Sequence, residues 1–137
     1  MAGKIIADQI EHSTAGSLDT QYVVNGSAKF WVNYHHTSGT PNANDSFNVS
    51  SLSDRGTGRV GIVLSNNMNN INYAGGGLAG HDSGTGSPGK TAQLERQSGV
   101  PLATGSVAVQ TVYDPTPSVS DVINNERAIF TFHGDLA

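Results

Sequence analysis

The chain has 137 residues, a formal net charge of −4 and no cysteine. That is room for one domain with a core, and it excludes a disulfide framework or a thiolate zinc site. Gly, Ser, Thr and Asn fill 55 positions while charged residues make up only 13%, a balance that favours turns and strands and excludes an all-helical protein.

Residues 1–27 differ from the rest of the chain. The run from Met1 to Asp8 turns acidic before a signal-peptide core can form, so no secretory signal is expected in it. Ile6 and Ile10 lie one helical turn apart, yet Ile6, Asp8 and Ile10 also alternate as in a strand, and the period stays open. Ser13–Ser17 breaks any element, and Asn25-Gly26-Ser27 is a turn signal. So few large apolar residues cannot close a core, and the segment is expected to be an arm that docks on another surface.

From Ala28 the pattern is strand, turn, strand. Residues 28–34 place Phe30, Val32 and Tyr34 on one face and Trp31 on the other. A strand over 45–52 follows a loop marked by Gly39 and Pro41. Residues 58–64 alternate Val60, Ile62 and Leu64 inward. Further strands are expected at 71–78, at 91–96 after a Gly/Ser loop over 81–89, at 105–113 with Val107, Val109 and Tyr113 on one face, and at 127–133 with Ala128, Phe130 and Phe132 on one face. Short strands at this spacing predict a sandwich or barrel. If each strand reverses the last, loops 35–44, 65–70 and 97–104 share one end, and 53–57, 79–90 and 114–126 the other.

The chemistry-bearing residues do not assemble into a catalytic pattern. The acids sit mainly in loops and at strand ends, where Asp caps or turns the backbone. There is no Gly-x-Ser-x-Gly elbow and no His-Glu-x-x-His, and the Gly-rich run 82–86 is neither followed by a helix signal nor closed by Gly-Lys-Ser/Thr. No catalytic residue, metal site or cofactor is expected. Seven Lys and Arg, none clustered, leave no footprint for nucleic acid, and no apolar run approaches the ~18 residues of a membrane span. His35 and His36 are adjacent in a strand end and point to opposite faces, so they cannot chelate one ion together; they read as exposed loop histidines, although one histidine per chain on a threefold axis could ligate a metal. Trp31 is expected in the core or against another copy, and a sugar-stacking role for it is the lesser reading. Asn66, Asn67, Asn69, Asn70 and Asn72 crowd one loop, as turn formers or as partners for sugar hydroxyls, with the turn reading favoured. The candidate receptor-contacting residues, chosen for exposure, are Asn67, Asn69, Asn70 and Tyr73 in that loop and His81 and Asp82 at the start of the Gly/Ser loop. Asn25 and Asn48 begin glycosylation sequons that matter only in a secretory pathway.

Residues 26–34 (Gly-Ser-Ala-Lys-Phe-Trp-Val-Asn-Tyr), 45–52 (Asp-Ser-Phe-Asn-Val-Ser-Ser-Leu) and 54–58 (Asp-Arg-Gly-Thr-Gly) closely resemble a run common in bacteriophage tail-fibre and related virion proteins. There a "GSAKAWVNF" strand leads to an "SFNVSS" segment and a Gly-Thr-Gly turn. Residues 67–74 and 127–135 resemble later stretches of the same family, and Lys4–Ile10 resembles the opening of many short marine-phage structural proteins. Phe30 departs from the usual alanine, and His35-His36 from a small polar loop. The chain has neither heptads nor a collagen-like repeat, so the resemblance implies a terminal module without a shaft. It implies an all-β, antiparallel β-sandwich of about seven to eight strands, a homotrimer, with residues 1–27 as attachment arm and 28–137 as the sandwich domain. The function implied is that of a tail-fibre or tail-tip module of the virion, adhering to a host receptor such as a surface glycan while the arm binds other virion proteins. A capsid decoration or head-fibre protein of the same fold is the alternative, and a glycan-cleaving depolymerase would need a pair of acids that the sequence does not supply.

Overall fold

The structure, a computed structural model, describes residues 3, 6–37, 39–80, 90–93, 100–116, 119–122 and 125–137. It is all-β and antiparallel, with one short helix. The arm contributes β1 (Gln9–His12), β2 (Gly16–Asp19) and α1 (Thr20–Gly26). The remaining strands are β3 (Ala28–His36), β4 (Asn42–Phe47), β5 (Val49–Asp54), β6 (Arg59–Leu64), β7 (Ala74–Gly80), β8 (Lys90–Gln93), β9 (Ser106–Thr116), β10 (Val119–Val122) and β11 (Asn125–His133).

Two sheets face each other. One runs β4-β3-β11-β7; the other runs β10-β9-β6-β5, with β8 also paired to β9. Their facing sides carry the core: Phe30, Val32, Tyr34, Ala128, Phe130 and Phe132 from the first sheet meet Val60, Ile62, Leu64, Val107 and Val109 from the second. These are the alternating apolar positions expected of strands with one face buried. Inside the first sheet Phe30 stacks on Phe132 with centroids 4.2 Å apart and planes 14° from parallel. Tyr34 lies parallel to Phe130 at 6.2 Å. Offset stacking of this kind contributes about 0.5–1.5 kcal/mol per pair beyond the area buried. The Tyr34 hydroxyl has no hydrogen-bond partner among the described residues. Its burial pushes the phenol far above the ordinary tyrosine range.

The expected strand over 45–52 is in fact two. Asn48 sits between β4 and β5 with φ of 56°, a left-handed conformation that asparagine tolerates better than most residues. The chain turns there and passes from one sheet to the other. This extra reversal moves loop 35–44, which joins loop 53–57 and the end of β7 at Gly80 at one end instead of opposing them. His36 Nε2 accordingly stands 3.6 Å from Asp54 Oδ1. Loops 65–73 and 100–105 share the other end with the arm junction and the C-terminal residues. The strand expected from residue 71 begins only at Ala74. Of the strand expected at 91–96, β8 covers the described part, and residues 94–96 lie outside the described residues.

Trp31 is not a core residue. Because Phe30, Val32 and Tyr34 point inward, Trp31 stands half-buried on the outer face of its sheet. His36 corrects the reading in the other direction. It is buried at the end of β3, where its Nε2 lies 2.9 Å from the Gly39 carbonyl oxygen.

Strand β7 begins Ala-Gly-Gly-Gly for a packing reason. Gly75 pairs with Phe132 and Gly77 with Phe130, and a methyl group at either would overlap the partner's ring; at Gly76, on the opposite face, it would meet nothing within 4 Å. Gly77→Ala should therefore lower stability by roughly 1–3 kcal/mol through overpacking. Gly76→Ala should be neutral or gain up to about 1 kcal/mol from the chain entropy that glycine loses on folding. Thermal denaturation of the two variants, expected to differ by several degrees, checks this.

Candidate functional site

The asparagine-rich loop closes one end of the sandwich by hydrogen bonding to backbone. Asn48 is the hub. Its Nδ2 donates to the Lys29 and Asn66 carbonyls, both at 3.1 Å, and its Oδ1 accepts from the Asn66 backbone N–H at 2.8 Å. Further along, the Met68 N–H donates to Thr104 O and the Asn69 N–H to Asp135 O, each at 2.8 Å, and the Ala137 N–H donates to Asn67 O at 3.0 Å. Loop 65–73, loop 100–105 and the C-terminal residues are thus tied into one layer.

The candidate receptor residues separate within this layer. Asn67, Asn69 and Asn70 are exposed, but their groups largely serve the turn. Asn69 Nδ2 donates to Asp135 Oδ2 at 3.1 Å, Asn70 Oδ1 accepts from the Asn72 N–H at 2.7 Å, and Asn67 Oδ1 packs over Gly105, where a methyl group would lie 2.9 Å away. These are the local side-chain-to-backbone bonds that shape turns. Tyr73 does not belong to an exposed surface. It is only 8% exposed and sits edge-on to Phe30 and Phe132. Its hydroxyl donates to Ala103 O at 3.1 Å. Burial raises its phenol pKa, and that backbone bond opposes the rise. The loop folds back over the open end of the aromatic stack, and Tyr73 is its plug. His81 and Asp82 lie outside the described residues.

The second candidate surface is the arm. Ser13–Ala15 turn the chain between β1 and β2, so the period left open at Ile6–Ile10 resolves to a strand from Gln9. Gln9 Nε2 donates to Asp19 Oδ1 across the hairpin at 2.7 Å, and Thr20 N–H donates to Asp8 O at 2.8 Å. Ile10 pairs with Leu18. Helix α1 buries none of its residues, and Ile6 (83%), Ile10, Leu18, Tyr22, Val23 and Val24 are all exposed. The arm is pinned to the sandwich by polar contacts: Lys29 Nζ donates to the Val24 carbonyl, and His133 Nδ1 lies 2.9 Å from Gly26 O. The two strands of its hairpin pair with each other while six of its large apolar side chains stay in solvent, an exposure that marks a candidate interaction surface.

Among the described residues, no three His, Asp or Glu side chains approach closely enough to hold a metal ion. Compared with known proteins, the chain matches no family model, no curated protein and no solved structure.

Sequence reasoning took Asn48 as a sequon and as part of the tail-fibre resemblance, not as a corner, and it set Trp31 opposite the core without joining Asn33, Asp45 and Phe47 to it. The signal for Asn48 was an asparagine inside an otherwise alternating run. For the outer face it was the alternation itself, which put positions 31, 33 and 35 opposite the core set. Asn48→Gly keeps the left-handed corner but removes its side-chain bonds, and should cost roughly 1–2 kcal/mol. Asn48→Ala adds the strain of a positive φ, about 1 kcal/mol more. Chemical denaturation of both variants checks the order.

Proposed function

We propose that this chain is a non-enzymatic structural protein of a bacteriophage virion, a tail-fibre or tail-tip module that adheres to the host surface. In this reading residues 1–27 fasten the module to other virion proteins and the sandwich is displayed outward. Three copies associate, which covers strand edges that a small sandwich leaves open. Neither nucleic acid nor membrane insertion takes part. The family reading rests on the resemblance of residues 26–58 to tail-fibre sequences. The single structural observation that supports an attachment role is the arm: a paired hairpin and a short helix with polar moorings and six solvent-facing apolar side chains.

The mechanism is multivalent. A module with shallow polar surfaces gains little from one contact, but copies held in register by the virion convert later contacts into intramolecular events and multiply the affinity. Because Ile10 and Val24 are each 54% exposed and lie outside the sandwich core, the double variant Ile10→Asp, Val24→Asp should melt within a few degrees of the parent and fail to enter particles. Immunogold electron microscopy of virions carrying the parent chain should label tails. Gold spread over heads would instead mark a capsid decoration protein, and unlabelled particles, or full incorporation of the double variant, would overturn the reading.

A further inference from the structure

The outer face of the β4-β3-β11-β7 sheet carries two kinds of group side by side. Trp31 pairs across the strands with Phe47, and Asn33 with Asp45, so all four share that face. Phe47 is 52% exposed and Trp31 is half-buried, a ring held by its sheet with part of its surface in solvent. The register continues the platform sideways: Ile129 pairs with Asn33 and Leu78 with Ile129, and these are 42% and 76% exposed.

Beside the rings is a fixed polar row. β4 is irregular between the partners of Asn33 and Tyr34, and the extra residue, Asn44, reaches back to β3. His35 Nδ1 lies 3.1 Å from Asn44 Oδ1, and Asn44 Nδ2 donates to Asn33 Oδ1 at 3.2 Å. This arrangement holds the Asn33 amide in one orientation while its Nδ2 donors, and the second carboxylate oxygen of Asp45, have no partner among the described residues. The first Asp45 oxygen accepts from the Ser46 N–H at 2.8 Å.

We propose that this face is a carbohydrate-binding platform, with Trp31 and Phe47 stacking on a pyranose ring and Asn33, Asn44 and Asp45 taking its hydroxyls. Neighbouring strands lie about 4.8 Å apart, so the two aromatic side chains together span about one sugar ring. Positions 33 and 45 are two residues along, about 6.7 Å away, where the hydroxyls of that sugar fall. The C–H face of a pyranose is apolar and suits an aromatic surface, while amides and a carboxylate supply the donors and acceptors that hydroxyls require. A covered protein interface of this kind would instead be depleted of charge at its centre. The carboxylate of Asp45 and the net charge of −4 favour neutral sugars and amino sugars over anionic ones. The inference deepens the adhesion reading and rests on it, but the test uses purified chain and does not depend on where the module sits in a particle.

The full chain, fluorescently labelled, would be applied to a printed array of neutral and amino-sugar oligosaccharides. The strongest binder would then be titrated in solution as free oligosaccharide against Phe47→Ala, Asn33→Ala and Trp31→Ala, each first checked for a parental melting profile. Phe47→Ala and Asn33→Ala, at exposed and half-exposed outer-face positions, keep the test decisive if Trp31→Ala fails to fold. Loss of a single stacking side chain should weaken binding roughly three- to tenfold, and Asn69→Ala should leave it unchanged. Absence of binding to every neutral and amino sugar would overturn the proposal. So would binding that survives Phe47→Ala and Asn33→Ala but falls with Asn69→Ala, or a Phe47→Ala effect confined to the oligomeric state.

Discussion

The stacking of Phe30 on Phe132, continued by Phe130 and Tyr34, is the constraint on which the rest of the molecule depends. These rings fill the space between the sheets on the β3 and β11 side and commit the even-numbered residues of both strands to the interior. Strand pleating then leaves no choice for the odd-numbered ones: Trp31, Asn33 and His35 must face outward, with Ile129 and Thr131 beside them. The same rings demand glycine at 75 and 77, because β7 must approach them with no side chain on that face. They also demand a lid, which Tyr73 supplies from the loop after β6.

The sandwich and the arm solve opposite problems. The sandwich hides its apolar residues between two sheets and presents polar loops whose amides are largely committed to their own backbone. The arm pairs its two strands and leaves its large apolar side chains in solvent. One chain thus carries a finished unit and an unfinished one, joined at Ser27 and moored by Lys29 and His133. That asymmetry is what gives an attachment role its physical sense, since a partner can bury the arm's side chains without disturbing the sandwich.

The strands were legible in the sequence because a period of two with β-branched and aromatic residues leaves little ambiguity: Val60, Ile62 and Leu64, or Ala128, Phe130 and Phe132, announce their own buried face. The β4–β5 corner was faint in the sequence, because Phe47 and Val49 keep the alternation on either side of Asn48 and the turn is made by one residue's φ rather than by a Gly or Pro. That single corner also rearranged the ends of the sandwich. Tyr73 misled for a related reason. Beside five asparagines it reads as a loop aromatic, and only the fold-back of the loop, fixed by contacts with residues 104 and 135, puts it in the core. For Trp31 the core half of its reading shows the reverse error, in which the apolar character of its strand outweighed the side of the strand on which it stands. Residues 81 and 82 lie outside the described residues, so those two candidates have no structural account.

Trp31 is the chain's one tryptophan, so the assignment of faces can be read directly from intrinsic fluorescence. Emission from the native protein, titrated with iodide and acrylamide, should be that of a partly solvated indole and should be quenched by both, with a slope between those of the unfolded chain and of a buried indole. Blue-shifted emission that neither quencher reaches until the protein unfolds would place Trp31 in the interior, and the orientation assigned to β3 would be wrong.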